Sequence, residues 1–453
     1  MQIPAVIVVE TPTLGDRSYV VHAGSVAAVI DPQRDIDRIL SVAQREGVRI
    51  THVFETHVHN DYLTGGLALS EETGADYHVN ALDDVGFTRT GIGDGDVVEV
   101  GAAMRLRAIA TPGHTFTHLA YALDDGAKVV GVFTGGSLLY GATGRPDLLG
   151  REHTHDLVRL QYSSAHRLAA ELPDDACVHP THGFGSFCSA SQTDATESTI
   201  GDERRLNPAL TDTEDAYVET LLAGLDDFPA YYAHMSEANA VGPGRPDLSA
   251  PTAADRDDLR RRLDAGEWVV DLRTREAFAA GHLRGTLNFG LDGQLSTYLG
   301  WLMQWGAPLT LLGETPGQVA EGQRELARIG IERPQAAATG GPTEWSIGPL
   351  GSFPRATFAD LAREHRRSDL VVLDVRRRQE YAKARIGGAV HVPIHQLPAR
   401  VGDVPAGQVW VHCAGGYRAS VAASLLAAGG RDVVAVDDDF ANARPAGLPV
   451  TAV

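Results

Sequence analysis

The sequence predicts an α/β protein of several domains, and three observations carry that expectation. Short β-type runs alternate with helical runs through residues 1–200, which is the pattern of a layered α/β domain. A Gly- and Pro-rich stretch at residues 241–251 reads as a linker. Beyond it the chain repeats itself. VVDLR at residues 269–273 returns as VLDVR at residues 372–376, and the same spacing of 103 positions pairs Phe278 with Tyr381, His282 with Arg385, Gly285 with Gly388 and Asn288 with His391. Two copies of one α/β domain of about 100 residues explain that spacing.

The elements follow in order. Residues 1–9 lack a basic segment and their apolar run stops at Glu10, so they read as a first strand and not as a signal peptide. Residues 27–30 form a strand ending at Asp31-Pro32, and a helical stretch continues to Gly47. Residues 50–54 form a strand that leads into a histidine string. A helix over residues 67–73 follows the Gly65-Gly66 turn, and residues 97–100, 105–110 and 128–133 read as further strands. Residues 214–224 are helical and 229–234 aromatic-rich. The resulting domains are residues 1–245, with a helical extension and linker, then 252–350 and 354–453.

The chain has 453 residues, 43% hydrophobic and 22% charged, with a net charge of −20. That charge argues against nucleic acid and against an anionic membrane surface. It leaves small anionic substrates open, because they respond to the local field of a pocket. No segment approaches the ~18–20 apolar residues that span a bilayer. Three cysteines, Cys177, Cys188 and Cys413, make no disulfide framework, so a reducing cytoplasm is the expected compartment. A homodimer through exposed faces is compatible with the sequence.

Cys413 ends an apolar run and opens the loop Ala414-Gly415-Gly416-Tyr417-Arg418, after which a helix follows. The glycines let successive backbone N–H groups turn inward. Those donors and the positive end of the helix favour a thiolate, and Arg418 is expected to clamp an anion through two N–H groups. This segment, with Asp374 and Arg376, Glu380-Tyr381 and Gly387-Gly388-Ala389, resembles the rhodanese domain, in which the cysteine carries a persulfide. The loop is six residues from Cys413 to Arg418, while related phosphatases have a longer one. The alternative, a merely buried cysteine, leaves two glycines and an arginine without a packing reason. In the first copy Gly313-Glu314-Thr315-Pro316-Gly317-Gln318 replaces this loop. That copy is expected to be degenerate, serving as a spacer or as a wall of a shared site.

Near the other end, His57-Val58-His59-Asn60-Asp61-Tyr62, Thr111-Pro112-Gly113-His114 and His179-Pro180-Thr181-His182 set histidines and a carboxylate at strand ends, as metal ligands require. Together they resemble the metallo-β-lactamase superfamily, which implies an N-terminal αββα sandwich followed here by two rhodanese-like α/β domains with parallel sheets. The resemblance implies His57, His59 and His114 as ligands of a first site, and Asp61, Tyr62 and His182 at the positions of a second. The aspartate that bridges two metals in that superfamily is replaced by Gly136, and Tyr62 replaces a histidine. Ligand counting therefore disfavours a binuclear zinc site and leaves a single ion, with His118 open to recruitment. A vestigial pocket without metal is the alternative. Cys188, six residues after His182, reads either as a sulfur carrier beside the pocket or as an ordinary buried residue. Cys177 reads as a strand residue of the core.

Within the superfamily the chain resembles the persulfide dioxygenases fused to rhodanese domains, through its histidine string, Gly144-Arg145-Pro146-Asp147-Leu148 and residues 198–208. That resemblance implies one metal ion, Fe(II), with zinc as the alternative. It also implies a glutathione-like low-molecular-weight thiol as cosubstrate, and persulfide and thiosulfate as sulfur compounds handled in sulfide detoxification. Two other readings stand beside it. One is a sulfurtransferase whose first domain only binds, and the other is a zinc thioester hydrolase of the glyoxalase II type.

Overall fold

The computed structural model describes residues 4–191 and 195–452, so residues 1–3 of the expected first strand lie outside the described residues. The chain divides into two compact units, Met1–Pro246 with Ala327–Gly330, and Asp247–Leu326 with Ile331–Val453.

The first unit holds β1 (Ala5–Thr11), β2 (Asp16–Ala23), β3 (Val26–Ile30), α1 (Asp37–Glu46), β4 (Arg49–Phe54), α2 (Gly66–Thr73), β5 (Asp76–Asn80), β6 (Thr90–Ile92), β7 (Val97–Val100), β8 (Met104–Ala110), β9 (Leu119–Asp124), β10 (Val129–Gly135), α3 (Thr154–Glu171), β11 (Cys177–Pro180), α4 (Ile200–Leu206), α5 (Pro208–Thr211), α6 (Glu214–Gly224) and α7 (Tyr232–Val241). One sheet has the order β1-β2-β3-β4-β5-β6 and the other β11-β10-β9-β8-β7. Strand alternation sorts their side chains into three apolar layers. Tyr19, Val21, Ile30 and Phe54 meet Leu106, Tyr121 and Phe133 between the sheets. Val20, Val29 and Val53 face Ile39, Val42 and Ala43 of α1 and Leu69 of α2. Ala120, Ala122 and Val132 face Val158, Ala165 and Leu168 of α3 and Tyr217 of α6. The unit is thus an αββα sandwich. Cys177, expected in the core, is exposed. It opens β11 opposite Gly131 of β10, and the side chains of that strand alternate, with Cys177 exposed and Val178 buried.

The histidine string occupies the loop after β4, and α7 pins that loop. Asn239 Nδ2 donates to the carbonyls of His59 (2.9 Å) and Tyr62 (2.8 Å), and Asn239 Oδ1 accepts the Thr64 N–H at 2.9 Å. This gives the helical extension at residues 232–241 a structural task that its composition did not reveal.

The second unit holds β12 (Thr252–Ala253), α8 (Arg256–Asp264), β13 (Trp268–Asp271), α9 (Arg275–Ala280), β14 (Leu287–Asn288), α10 (Leu295–Leu302), β15 (Leu309–Gly313), α11 (Pro316–Ala327, whose last residue falls in the first unit), β16 (Ala336–Thr339) and α12 (Pro342–Trp345). It continues with β17 (Arg355–Ala356), α13 (Phe358–Glu364), β18 (Leu370–Asp374), α14 (Arg378–Lys383), β19 (Ala384–Ile386), β20 (Val390–His391), α15 (Leu397–Arg400), β21 (Gln408–His412), α16 (Tyr417–Ala428), β22 (Val433–Val436) and β23 (Val450–Ala452). Two five-stranded sheets result, β12-β16-β15-β13-β14 and β17-β22-β21-β18-β20, and every pairing in both is parallel, while β19 and β23 form a separate antiparallel pair. The repeat in the sequence is a repeat of register. Asp271 pairs with Asn288, and 103 positions later Asp374 pairs with His391. In each copy the strand-end aspartate binds the arginine two residues on, Arg273 Nη2 to Asp271 and Arg376 Nη2 to Asp374, both at 2.6 Å.

Asn239→Ala leaves one buried N–H and two buried carbonyls of the histidine loop unpaired. It should lower the stability of the first unit by about 1–3 kcal/mol, measured by denaturant unfolding, while the second unit's transition stays in place.

Candidate metal centre and cysteine loop

The metal-centre residues all lie at strand ends of one sandwich. His57, His59 and Asp61 follow β4, His114 and His118 follow β8, Gly136 follows β10 and His182 follows β11. Every one of these side chains is buried. Asp31, at the end of β3, ties two of these ends to its own. Its carboxylate accepts the Thr56 N–H at 2.7 Å, the Thr56 hydroxyl at 2.8 Å and the Thr181 hydroxyl. Its backbone sits at φ 50°, a left-handed conformation that aspartate tolerates better than most residues. Against the effect of burial, His59 and these donors hold its carboxyl below the ordinary range.

Three imidazoles are oriented by oxygen atoms on their outer side. Thr56 Oγ1 lies 2.8 Å from His57 Nδ1, and the same hydroxyl donates to Asp31, so His57 Nδ1 is the donor of that contact. His114 Nδ1 donates to the Arg145 carbonyl at 2.9 Å. His182 Nδ1 lies 2.9 Å from an Asp16 oxygen and 3.1 Å from an Asp61 oxygen. Each ring therefore turns Nε2 inward, as metal-ligating histidines do. His114 Nε2 has no partner among the described residues, and His57 Nε2 and His182 Nε2 approach to 3.4 Å. A tetrahedral ion with bonds of about 2.0–2.1 Å separates its ligand atoms by about 3.3–3.4 Å, so the donor chemistry and this spacing fit a metal ion. Burial and the neighbouring His182 push His114 down to about 3. Burial acts against His182 too, but Asp61 and Asp16 push it up to about 10.

His59, grouped with His57 and His114 by sequence, is placed differently. Its Nε2 is taken by Glu55 (3.1 Å) and by the Tyr62 hydroxyl (3.0 Å), and only Nδ1 is left without a partner. Against burial, Asp31 and Glu55 push His59 up to about 9. Ligand atoms of His57, His59 and His182 lie within 4.8 Å of one another, as do those of His114, His182 and Cys188. His182, expected in a second site, is common to both sets. His118 is not open to recruitment. Its Nδ1 lies 2.8 Å from the Thr111 hydroxyl and its Nε2 accepts the Gly136 N–H at 3.0 Å, so both ring nitrogens are engaged. Tyr62 acts as a hydrogen-bonding support of His59.

Gly136 is more than a missing ligand. A Cβ there would stand 2.3 Å from His114 Cδ2, so the His114 ring occupies the space into which a side chain at residue 136 would project. Cys188 is fully buried, and burial, followed by the Asp61 and Asp16 charges, pushes its thiol well up.

In the second unit Cys413 ends β21, and α16 starts three residues beyond Ala414. The Gly416 N–H donates to Cys413 Sγ at 3.1 Å. Gly416 has φ +96°, and a Cβ there would meet Asp437 Oδ1 at 2.0 Å, so only glycine fits the turn. Arg418, expected to clamp an anion, is already paired. Its two terminal nitrogens bind the two Glu380 oxygens at 2.6 and 2.8 Å. The fork is closed by a carboxylate of the same domain, and Arg418 serves as a fixed buried cation beside the loop. Against burial, Arg418 holds the Glu380 carboxyl down at about 2.

The first repeat braces this loop. The Tyr417 hydroxyl donates to the Gly290 carbonyl at 3.0 Å, the Ser420 hydroxyl to Asn288 Oδ1 at 2.9 Å, and Arg275 to Asp437 at 2.8 Å. In place of the cysteine loop it has Gln318, whose Oε1 accepts the Glu314 N–H at 2.7 Å. Sequence reasoning missed Asp16, Thr56, the Arg145 carbonyl and Asn239. Only Asp31 carried a signal, as the residue that ends a strand before proline.

Residues 357–443 match the rhodanese-like domain family. The chain is 32% identical over 160 residues to a hydroxyacylglutathione hydrolase of Polaromonas, covering 35% of this chain and 57% of that protein. It is 30% identical over 213 residues to human mitochondrial persulfide dioxygenase ETHE1, covering 47% of this chain and 75% of that protein. A solved metallo-β-lactamase from Staphylococcus aureus aligns at TM-score 0.66 and 26% identity, covering 75% of this chain and 99% of that one. The chain thus spans just over half the length of the first relative and three quarters of the second.

Gly136→Ala should displace His114 and weaken binding of a divalent ion by about 10–100-fold, measured by competition with a chelating dye. Glu380 has a depressed pKa in the folded chain, so its contribution to stability is complete above pH 4.5 and is lost as pH falls toward 2. Glu380→Gln should therefore flatten the acid limb of the second unit's stability, followed by tryptophan fluorescence.

Proposed function

Because the chain belongs to the metallo-β-lactamase-fold family of persulfide dioxygenase ETHE1 and carries a rhodanese-like domain, we propose that it is a sulfur-metabolism enzyme with two centres. The first unit oxidises a low-molecular-weight thiol persulfide. Persulfide, dioxygen and water give the thiol, sulfite and two protons. The second unit transfers sulfane sulfur through Cys413. The observation that supports the first reaction is a buried histidine cluster, with His57, His114 and His182 each aimed by an oxygen partner, His182 common to two candidate ligand sets, and Gly136 where a bridging carboxylate would be.

His57, His114 and His182 would hold the ion, which supplies a Lewis-acidic position for sulfur and for dioxygen. The chain's own residues set the geometry. Thr56, Arg145 and Asp16 fix the ring orientations, and the buried surroundings keep bulk water away from the sulfur. Asp61 and Asp16 balance the positive charge at His182.

In the second unit the Cys413 thiolate attacks the outer sulfur of thiosulfate. An S–S bond forms on Cys413, the bond from that sulfur to the sulfonate sulfur breaks, and sulfite leaves. A thiol then takes the outer sulfur, leaving as a persulfide and regenerating the Cys413 thiolate. The Gly416 N–H, the N-terminus of α16 and the Arg418 cation stabilise negative charge on the cysteine sulfur.

The hydroxyacylglutathione hydrolase relative favours a second reading, thioester hydrolysis with zinc. Gly136 weighs against it, because two-metal activation of water needs the bridging carboxylate.

With glutathione persulfide as substrate, the full chain should consume dioxygen and release sulfite. His114→Ala should lose that uptake and keep thiosulfate-to-thiol sulfur transfer, and Cys413→Ser should do the reverse. Oxygen uptake that survives His114→Ala, or thioester turnover by zinc-loaded protein in place of oxygen uptake, would contradict the reading.

A further inference from the structure

Gly136 leaves the metal donor set one anionic ligand short, and the His114 ring fills the space a side chain there would use. Several other polar groups around the cluster are committed elsewhere, while His59 Nδ1 and the two Asp61 oxygens have no hydrogen-bond partner among the described residues. His118 uses both ring nitrogens. Tyr62 and Glu55 are bound to His59 Nε2. Asp61 and Asp16 lie against His182 Nδ1, the nitrogen on the far side of that ring from Nε2. The ligand atom of Cys188 lies within 4.8 Å of those of His114 and His182, and all three residues are buried. His114 Nε2 is itself a buried nitrogen with no hydrogen-bond partner among the described residues.

The local backbone couples Cys188 to His114 through one residue. The Arg145 N–H donates to the Cys188 carbonyl at 2.8 Å, and the Arg145 carbonyl accepts from His114 Nδ1 at 2.9 Å. The Cys188 N–H is held by the Ser186 hydroxyl at 3.2 Å, and Arg145 Nη1 donates to the Phe187 carbonyl at 3.3 Å. Cysteine and histidine are therefore registered to each other by a rigid turn.

We propose that Cys188 is a ligand of the metal ion, replacing the carboxylate absent at position 136. A thiolate carries the same single negative charge as the carboxylate, so the charge of a divalent centre is unchanged. Binding forms a metal–sulfur bond and breaks the S–H bond, releasing one proton to water. The donor set becomes softer, and a ligated sulfur is not free to shuttle sulfane sulfur. This inference rests on the one-ion centre proposed above and adds a ligand to it.

The test is cobalt(II) loading of the metal-free full chain carrying Cys177→Ser and Cys413→Ser, so that Cys188 is its sole thiol. One bound cobalt with a thiolate-to-cobalt charge-transfer band in the near ultraviolet is expected, and the band should vanish in the further variant Cys188→Ser. X-ray absorption of the cobalt-loaded wild-type chain, which needs no variant to fold, should show one sulfur at about 2.3 Å. Cobalt bound with only nitrogen and oxygen neighbours would overturn the role of Cys188 while leaving the one-ion centre and the oxygenase reading standing. Failure to bind cobalt at all would overturn both.

Discussion

A carboxylate buried at Asp31 sets the terms for the rest of the metal centre. Removing a carboxylate from water costs several kcal/mol unless its oxygens are satisfied, and those of Asp31 take three donors from two other strand ends. The Thr56 hydroxyl that donates to Asp31 has only its lone pairs left for His57, so His57 must donate from Nδ1 and turn Nε2 inward. One buried charge thus joins β3 to the loops after β4 and β11 and selects a ring tautomer. The two sheets supply the rigid ends, and the apolar layer of Tyr19, Phe54, Tyr121 and Phe133 between them keeps those ends in register.

The same economy of paired charges appears in the second unit with a different outcome. There the Asp374–Arg376 pair closes the end of β18, and Glu380 closes the fork of Arg418. Cys413 lies next to a backbone N–H, a helix N-terminus and a fixed cation. The first repeat keeps the aspartate–arginine pair in Asp271 and Arg273 and places Gln318 in its own loop. It retains the scaffold pairing of the fold without the cysteine, and it contacts α16 through Asn288 and Gly290.

Much of this was legible in the sequence where the signal is local. Helix α1 ends at Gly47, which caps it in a left-handed conformation. The repeat spacing of 103 positions reappears as identical strand register. The histidine string and the cysteine loop fall at the strand ends where their neighbours in sequence placed them. What escaped is set by partners distant in sequence. Asp16 and His182 are 166 positions apart and His114 and the Arg145 carbonyl are 31 apart, so no window of sequence shows which nitrogen of each ring faces inward. His118 looks like a spare ligand until its two hydrogen bonds are counted. Arg418 looks like a free anion clamp until Glu380 is found in its fork, and Cys177 looks apolar and internal until the alternation of β11 places it on the exposed side.

We propose the first unit as a one-ion centre for the oxidation of sulfur, distinct from a two-zinc hydrolase. Elemental analysis of the protein as isolated under anaerobic conditions decides between them: one iron atom per chain is expected, and two zinc atoms per chain, or no bound metal, would overturn the one-ion reading.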